Sequence, residues 1–266
     1  MKWLLRIIGR RLAHFLAKPR GAGRPLATSD PQGFARCLQK GDVLLVEGTS
    51  RFSSAIKYLT QSSWSHAALY IGDALDADNS EDIERRVLLE ADVEDGVRAV
   101  PLSEYTNWHC RICRPVGLSP TEIDQLVDYA VQRIGTQYDL KNIIDLLRYL
   151  VRTPPVPSRY RRRMLALGSG DPTRAICSSL IAQAFQSVHY PILPERYLRP
   201  SAEADCEDCY EEVLRIRHHS LFTPRDFDIS PYFRIVKPVI EEGFDPQQLH
   251  WEQVIKSPAL ADPADT

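Results

Sequence analysis

Two short segments, far apart in the chain, constrain the fold of this sequence more than any other feature. Residues 65–72 read Ser-His-Ala-Ala-Leu-Tyr-Ile-Gly, a histidine followed by an apolar run that ends at glycine. Residues 175–182 read Ala-Ile-Cys-Ser-Ser-Leu-Ile-Ala and follow a loop rich in glycine and proline. The first segment predicts a buried strand, and the second predicts the start of an apolar helix.

The cysteine of the second segment stands where a nucleophile would. A thiolate benefits from the partial positive charge of a helix N-terminus and needs a base within hydrogen-bonding reach. Cys177 falls in the first turn of the predicted helix, outside its apolar stripe. A free cysteine is usually just a small buried residue, but this position favours a nucleophile.

Among the seven histidines, only His66 opens a long apolar strand, which makes it the best candidate base. His109, which begins an alternating segment, is the second choice. A base needs a polar group that fixes its tautomer. Glu90 is the natural one, because a lone carboxylate in the apolar run 87–91 needs a partner when buried. The alternative is that Glu90 faces solvent on a half-exposed strand.

Composition narrows the function classes. A net charge of −2 over 266 residues gives no general attraction for nucleic acid, so no nucleic-acid partner is expected. Six cysteines are too few for a disulfide scaffold, and without a secretory signal we expect reduced thiols and a cytoplasmic protein. Arginines interrupt the apolar N-terminus before it reaches the length of a signal core or a membrane span.

Residues 2–18 have the pattern of a basic amphipathic helix. Basic residues recur at every fourth position, opposite an apolar stripe flanked by Trp3 and Phe15. Such a helix can lie on an anionic membrane surface, here the inner face of the membrane. It can also pack its apolar stripe on the domain, and the pattern alone does not separate the two.

The remainder predicts a single domain. Residues 19–33 read as a linker, so we divide the chain into a helix and linker at 1–33, a domain at 34–240 and a polar tail at 241–266. Within the domain we predict strands at 43–47, 66–71, 87–91, 97–100, 108–114 and 233–238, and helices at 50–60, 121–134, 138–150, 177–187 and 206–217.

In this order, the motifs resemble those of the circularly permuted NlpC-type papain-like cysteine hydrolases, in particular the YiiX/YebB-like group. The resemblance covers residues 38–238 and rests on Gly-Asp-Val-Leu-Leu at 41–45, Trp-Ser-His at 64–66, Leu-Glu-Ala at 89–91, Gly-Val at 96–97, Gly-Thr-Gln-Tyr-Asp at 135–139 and Cys-Ser-Ser-Leu-Ile at 177–181. The histidine precedes the cysteine, which is the mark of permutation. The resemblance implies an α+β fold, with a small antiparallel sheet or partial barrel packed against helices.

Carried over to this sequence, the resemblance implies a catalytic triad of Cys177, His66 and Glu90. Tyr138 matches a Tyr-Asp motif of the family and is expected to line the substrate pocket. The neighbours of the triad, Trp64, Ser65 and Ser178, complete the candidate substrate-binding residues. No metal or organic cofactor is required.

Two stretches depart from the family and read as insertions. One is the loop that contains Arg159, Arg161, Arg162 and Arg163, and the other spans residues 195–219. The arginines could bind phosphate or carboxylate, although a solvated loop is the commoner explanation of such a run.

Two Cys-x-x-Cys pairs, Cys110/Cys113 and Cys206/Cys209, have the spacing of zinc ligands. Residues three apart on a strand face opposite sides, however, so the first pair cannot reach one metal without a turn between them. We therefore expect no metal site.

The resulting hypothesis is a thiol hydrolase or acyltransferase that cleaves an amide or ester bond. Cys177 attacks the carbonyl, His66 takes and returns the proton, and Glu90 holds the imidazole. The basic helix favours a lipid or acylated substrate over a cell-wall-type peptide. The alternative is a catalytically idle papain-like domain that binds a lipid or peptide ligand at the membrane.

Overall fold

A six-stranded antiparallel sheet is the frame of the fold. The computed structural model describes residues 30–75, 87–92, 95–136, 176–200 and 210–248. The strands are β1 (Val43–Val46), β2 (His66–Gly72), β3 (Val87–Asp92), β4 (Gly96–Pro101), β5 (Cys110–Pro115), β6 (Glu195–Pro200), β7 (Tyr210–Arg215) and β8 (Phe233–Val236). The sheet has the order β4-β3-β2-β1-β5-β8, and β6 pairs with β7 in a separate hairpin.

The helices are α1 (Pro31–Cys37), α2 (Arg51–Thr60), α3 (Pro120–Val131), α4 (Ile176–Ser187), α5 (Pro224–Asp228) and α6 (Pro238–Glu241). The start of α3 is fixed by a local sequence signal, a capping box at Ser119 and Glu122. The Ser119 hydroxyl accepts the N–H of Glu122, and the Glu122 carboxylate accepts the N–H of Ser119, with Pro120 in the first turn. This reciprocal capping satisfies donors that a helix start otherwise leaves open.

Strand β2 is buried on both faces, which explains its nearly continuous apolar sequence. Ala67, Leu69 and Ile71 join a core with the apolar residues of α4, including Phe185. Tyr70 lies on the opposite face, in a second core with residues of α1. Helices α3 and α4 therefore cover one face of the sheet, and α1 covers part of the other.

The strand register places the start of β2, where His66 lies, beside the end of β1 and the start of β5. Val46 pairs with His66 on one side and with Cys110 on the other. The pairing of β2 with β3, in contrast, extends only as far as Leu69 opposite Leu89. The start of β2 is thus free of its β3 neighbour, and α4 packs against β2 and β3 near this point.

The sequence located most of these elements. The α+β class with an antiparallel sheet is confirmed, as are the six predicted strands and the predicted helices at 50–60, 121–134 and 177–187, with ends shifted by a few residues. The predicted helices at 2–18 and 138–150 lie outside the described residues. None of the helices in the described ranges has the length and apolar character needed to cross a membrane.

The prediction of a helix at 206–217 is wrong, because the described part of that stretch forms β7. Its burial alternates between half-buried and exposed residues, as a strand requires. Two ion pairs also cross the hairpin, Arg196 with Glu212 and Arg199 with Glu211. Cross-strand charge pairs stabilise this pairing over a helix.

The cysteines of β5 lie as strand geometry predicts. Cys113 is buried in the core on the α4 side of the sheet, whereas Cys110 packs against the core on the opposite side. They cannot bind one metal ion together. Cys206 and Cys209 lie outside the described residues, and within the described ranges no cluster of metal-ligating side chains occurs.

Candidate active site

Cys177 lies in the first turn of α4, at the sheet end where β2 and β3 separate. Its side chain is buried, with 5% of the residue exposed. The His66 side chain and the backbone N–H of Ala67 both act to lower the pKa of the Cys177 thiol, and the sulfur lies 4.0 Å from Oγ of Ser178. The strand that carries the histidine therefore also supplies a backbone donor to the sulfur.

His66 connects the thiol to a carboxylate. Its Nε2 lies 2.7 Å from Oε2 of Glu90. An imidazole has two ring nitrogens, so the contact with Cys177 falls to Nδ1. The histidine is thus bound at both nitrogens, with Glu90 fixing the ring orientation and the thiol in front of the other nitrogen.

The charged forms of Cys177 and His66 stabilise each other. Burial acts to raise the pKa of Cys177, but the His66 charge, the Ala67 N–H and the Ser178 hydroxyl outweigh it and hold the pKa below its usual value. Burial acts to lower the pKa of His66, yet the sulfur and Glu90 raise this pKa well above its usual value. Each group therefore favours the charged form of the other, a thiolate beside an imidazolium.

Glu90 is buried and stays ionised because three donors hold it. Oε1 accepts from Nε of Arg98 at 2.9 Å, and Oε2 accepts from both His66 and the Tyr105 hydroxyl. Burial acts to raise the pKa of Glu90, but His66, Tyr105 and Arg98 lower it to about 2. The sequence left open whether Glu90 is buried with a partner or faces solvent, and the structure shows it buried with partners.

The segment before His66 is held by a close backbone approach. The Gly48 N–H donates to Oγ of Ser65 at 2.9 Å, and a Cβ at Gly48 would lie 2.8 Å from that oxygen and 2.2 Å from Oγ of Ser53. Only glycine fits at this position. The contact fixes the residue that precedes the histidine.

The predicted substrate-binding residues have different surroundings. Ser178 is fully buried beside the sulfur, and the Ser65 hydroxyl is occupied by Gly48. Trp64 is buried and donates its indole N–H to Asp228 at 3.1 Å. Tyr138 lies outside the described residues, as does the arginine loop at 159–163, so their roles stay predictions.

His109, the second candidate base, lies in a different part of the sheet end. Its Nδ1 is 2.8 Å from Oε2 of Glu47, and its ring centroid is 5.1 Å from that of Trp64. Among the described contacts of Cys177, the imidazole is that of His66. The geometry therefore favours His66.

Sequence reasoning missed Arg98 and Tyr105. A signal existed for the arginine, because the turn at Asp95-Gly96 predicts a hairpin, and in the observed register Glu90 lies opposite Arg98. No comparable signal marks Tyr105, which follows a 3-10 turn at Leu102–Glu104 and reaches the carboxylate through the fold of the loop.

Comparison with known proteins finds one family model that matches part of the chain. The family model described as a permuted papain-like amidase enzyme, YaeF/YiiX, C92 family, matches residues 37–149. Over these residues, which are less than half of the chain, the protein is similar to permuted papain-like amidases of the YaeF/YiiX type. The matched segment contains His66 and Glu90 and ends before Cys177. The family description supports a cysteine hydrolase or amidase in general terms.

Among solved structures, the chain is similar to the crystal structure of metalloprotein yiiX from Escherichia coli O157:H7. The two share 16% sequence identity with a TM-score of 0.43, over 75% of this chain and 96% of that one. No curated protein matches the chain significantly.

Proposed function

We propose that the protein is a thiol hydrolase or acyltransferase acting on an amide or ester bond, with Cys177 as nucleophile, His66 as general acid and base, and Glu90 as the group that orients His66. The observation that carries this proposal is that His66 lies 2.7 Å from the buried Glu90 carboxylate, while the charge of the nearby Cys177 sulfur acts to raise the pKa of the same imidazole. This is the arrangement that thiol nucleophiles need for activation.

The reaction follows from the charges. The thiolate attacks the substrate carbonyl carbon, a C–S bond forms, and the carbonyl electron pair moves to oxygen, near the N–H of Cys177 at the start of α4. The C–N or C–O bond then breaks, and the His66 imidazolium protonates the leaving group. Water or another acceptor, deprotonated by His66, attacks the thioester and releases Cys177.

Trapping the acyl-enzyme tests the proposal. The full chain is mixed with an activated acyl ester, quenched in acid and digested, and the acyl mass is located on its peptides. We expect the label on Cys177, and we expect its loss in Cys177→Ala and a slow rate in His66→Ala. Cys37→Ala is the control, because Cys37 is a half-buried thiol whose pKa is raised by burial. Equal labelling of several cysteines, unaffected by His66→Ala, would favour the idle binding domain.

For the substrate we propose a lipid or acylated molecule before a cell-wall-type peptide. The support is the basic amphipathic pattern of residues 2–18, which lie outside the described residues. A series of acyl esters that differ only in chain length tests this preference. A rate that rises with chain length supports the lipid-type substrate, and a flat series combined with cleavage of peptide amides contradicts it.

We also propose that residues 2–18 attach the protein to the inner face of an anionic membrane. Flotation with phosphatidylglycerol-containing vesicles, compared with phosphatidylcholine vesicles, tests this on the full chain and on a form lacking residues 1–25. We expect binding of the full chain to the anionic vesicles alone. Equal flotation of the two forms would remove the membrane role.

A further inference from the structure

A groove of about 370 Å³ is lined in part by Trp64, two residues before His66. Its lining is polar and basic, unlike the apolar cores on the two faces of the sheet. The residues that line it are Gln61, Ser62, Ser63, Trp64, His109, Arg111, Arg225, Asp228 and Ile229. Two arginines and a single carboxylate give this lining an excess of positive charge.

One wall of the groove is a rigid arrangement around Asp228. Its Oδ2 accepts the indole N–H of Trp64 at 3.1 Å, and its Oδ1 accepts Nη1 of Arg111 at 2.5 Å. The Arg111 guanidinium also lies 4.9 Å from the Trp64 ring centroid, within range of a cation–π contact. Arg111 is therefore held in one orientation before any ligand binds.

The two arginines retain donors for a ligand. A guanidinium carries five N–H groups. Within the described residues, the hydrogen bonds of Arg111 use Nη1 for Asp228, and those of Arg225 use Nη1 for the carbonyl of Thr60. The remaining N–H groups match the geometry of carboxylate or phosphate oxygens.

The groove and the thiol share one edge of the sheet. His66, Val46 and Cys110 are aligned across β2, β1 and β5, so the start of β5 lies two strand spacings, about 10 Å, from His66. Arg111 shares its face of β5 with Cys113, which belongs to the same core as Cys177. The groove therefore lies on the nucleophile's side of the sheet.

From this geometry we propose that the groove is a substrate subsite that binds an anionic group, a carboxylate or a phosphate. The inference rests on the proposed function, since it assigns part of the substrate for the Cys177 reaction. Arg111 and Arg225 bind the anion, and Trp64 and Asp228 hold Arg111 in position.

Affinity labels of fixed length test the subsite. Bromoacetamidohexanoate carries a carboxylate at the far end of its chain from the reactive carbon, bromoacetamidohexanamide is its neutral counterpart, and bromoacetamidopentylphosphonate replaces the carboxylate. In each case the thiolate displaces bromide and a C–S bond forms at Cys177. We expect the anionic reagents to label Cys177 about 10-fold faster than the neutral one, as for a hydrogen bond to a charged group. The ratio of the two anionic rates separates carboxylate from phosphate recognition.

Variants distinguish an effect of the groove arginines from an effect of the protein's overall charge. Arg225→Gln and Arg111→Gln should each reduce the anionic preference towards one, where the preference is the ratio of the anionic rate to the neutral rate measured in the same variant. Arg225→Gln is the milder change, because the described hydrogen bond of Arg225 is made to a backbone carbonyl. Arg234→Gln removes the same charge from an exposed arginine, opposite Arg114 on the other face of the sheet, and should keep the preference.

The outcomes are distinguishable. Equal rates for charged and neutral reagents in the unmodified protein, or a preference that survives Arg225→Gln and Arg111→Gln, would overturn the subsite. If Cys177 reacts with none of the reagents, the proposed function fails instead. The increase in melting temperature caused by adipate or inorganic phosphate, at constant ionic strength, then decides whether the groove binds anions. We expect a smaller increase in Arg225→Gln than in Arg234→Gln. Equal increases in the two variants would overturn the inference.

Discussion

The hydroxyl of Tyr105 donates to Oε2 of Glu90, the same oxygen that binds Nε2 of His66. The two rings lie nearly parallel, with centroids 6.1 Å apart. Because burial and the Glu90 charge raise the pKa of Tyr105 above its usual value, the phenol keeps its proton and remains a donor. Tyr105 therefore restricts the carboxylate, and through it the orientation of the imidazole.

Replacing Tyr105 by phenylalanine should affect turnover more than thiol reactivity. Alkylation by iodoacetamide needs only a thiolate, whereas amide cleavage needs an imidazole oriented for proton transfer. We expect Tyr105→Phe to lower amide or ester turnover about 10-fold and to leave the alkylation rate nearly unchanged. Tyr129→Phe is the control, since its hydroxyl makes only a 3.5 Å contact with Gln183. Equal losses in both assays would show that Tyr105 acts on the charge of the thiolate instead.

Glu90 should make stability depend on acid pH. Its pKa is about 2 in the folded protein against 4.5 ordinarily, so the folded state disfavours its protonation. The stabilisation is therefore complete above pH 4.5 and is lost as the pH falls towards 2. It amounts to about 3 kcal/mol. Urea unfolding should show that the deficit of Glu90→Gln shrinks over this range, while Glu211→Gln, at an exposed carboxylate, shows little deficit at any pH.

The Asp42–Arg114 pair should be essential for stability. Asp42 is 1% exposed and accepts two hydrogen bonds from Arg114, at 2.9 and 2.8 Å. Arg114→Met leaves a buried carboxylate without its partner, which costs about 3–5 kcal/mol. Burial already raises the pKa of Asp42, so the loss should decrease at acid pH, where this group takes up a proton. Arg234→Met, at an exposed arginine, should lower the melting temperature little; an equal loss would contradict the assignment.

Gly48→Ala should disturb the approach to His66. The added methyl group would lie 2.2 Å from Oγ of Ser53 and 2.8 Å from Oγ of Ser65, so the segment before His66 must shift. We expect a loss of about 1–3 kcal/mol and slower alkylation of Cys177. Gly33→Ala is the matched control, because its methyl group would meet only the far end of the Glu242 side chain. A variant with unchanged melting temperature and thiol reactivity would show that Ser65 does not fix His66.

The sequence predicted those parts of the site that local pattern determines. The long apolar run after His66 and the helix beginning near Cys177 indicated these two residues as candidates, and the isolated carboxylate in β3 indicated Glu90. These three residues can be recognised from the local sequence because each interrupts or begins an apolar segment. The strands of the sheet were predictable for the same reason.

The remaining contacts depend on how distant segments approach each other. Trp64 and Asp228 are 164 residues apart, and their hydrogen bond shapes the basic groove. Tyr105 reaches Glu90 from a loop, and the β6–β7 hairpin depends on cross-strand ion pairs that are invisible until the register is known. Periodicity within one segment contains no information on such approaches.

The pH dependence of Cys177 alkylation by iodoacetamide tests the central claim most directly, with the alkylated residue identified by mass. In the unmodified protein the thiolate paired with His66 should give half-maximal reactivity below the ordinary cysteine value of 9.0. In His66→Gln the opposing charge is lost while burial remains, so the midpoint should move upwards. Superimposable profiles for the two proteins would contradict the account.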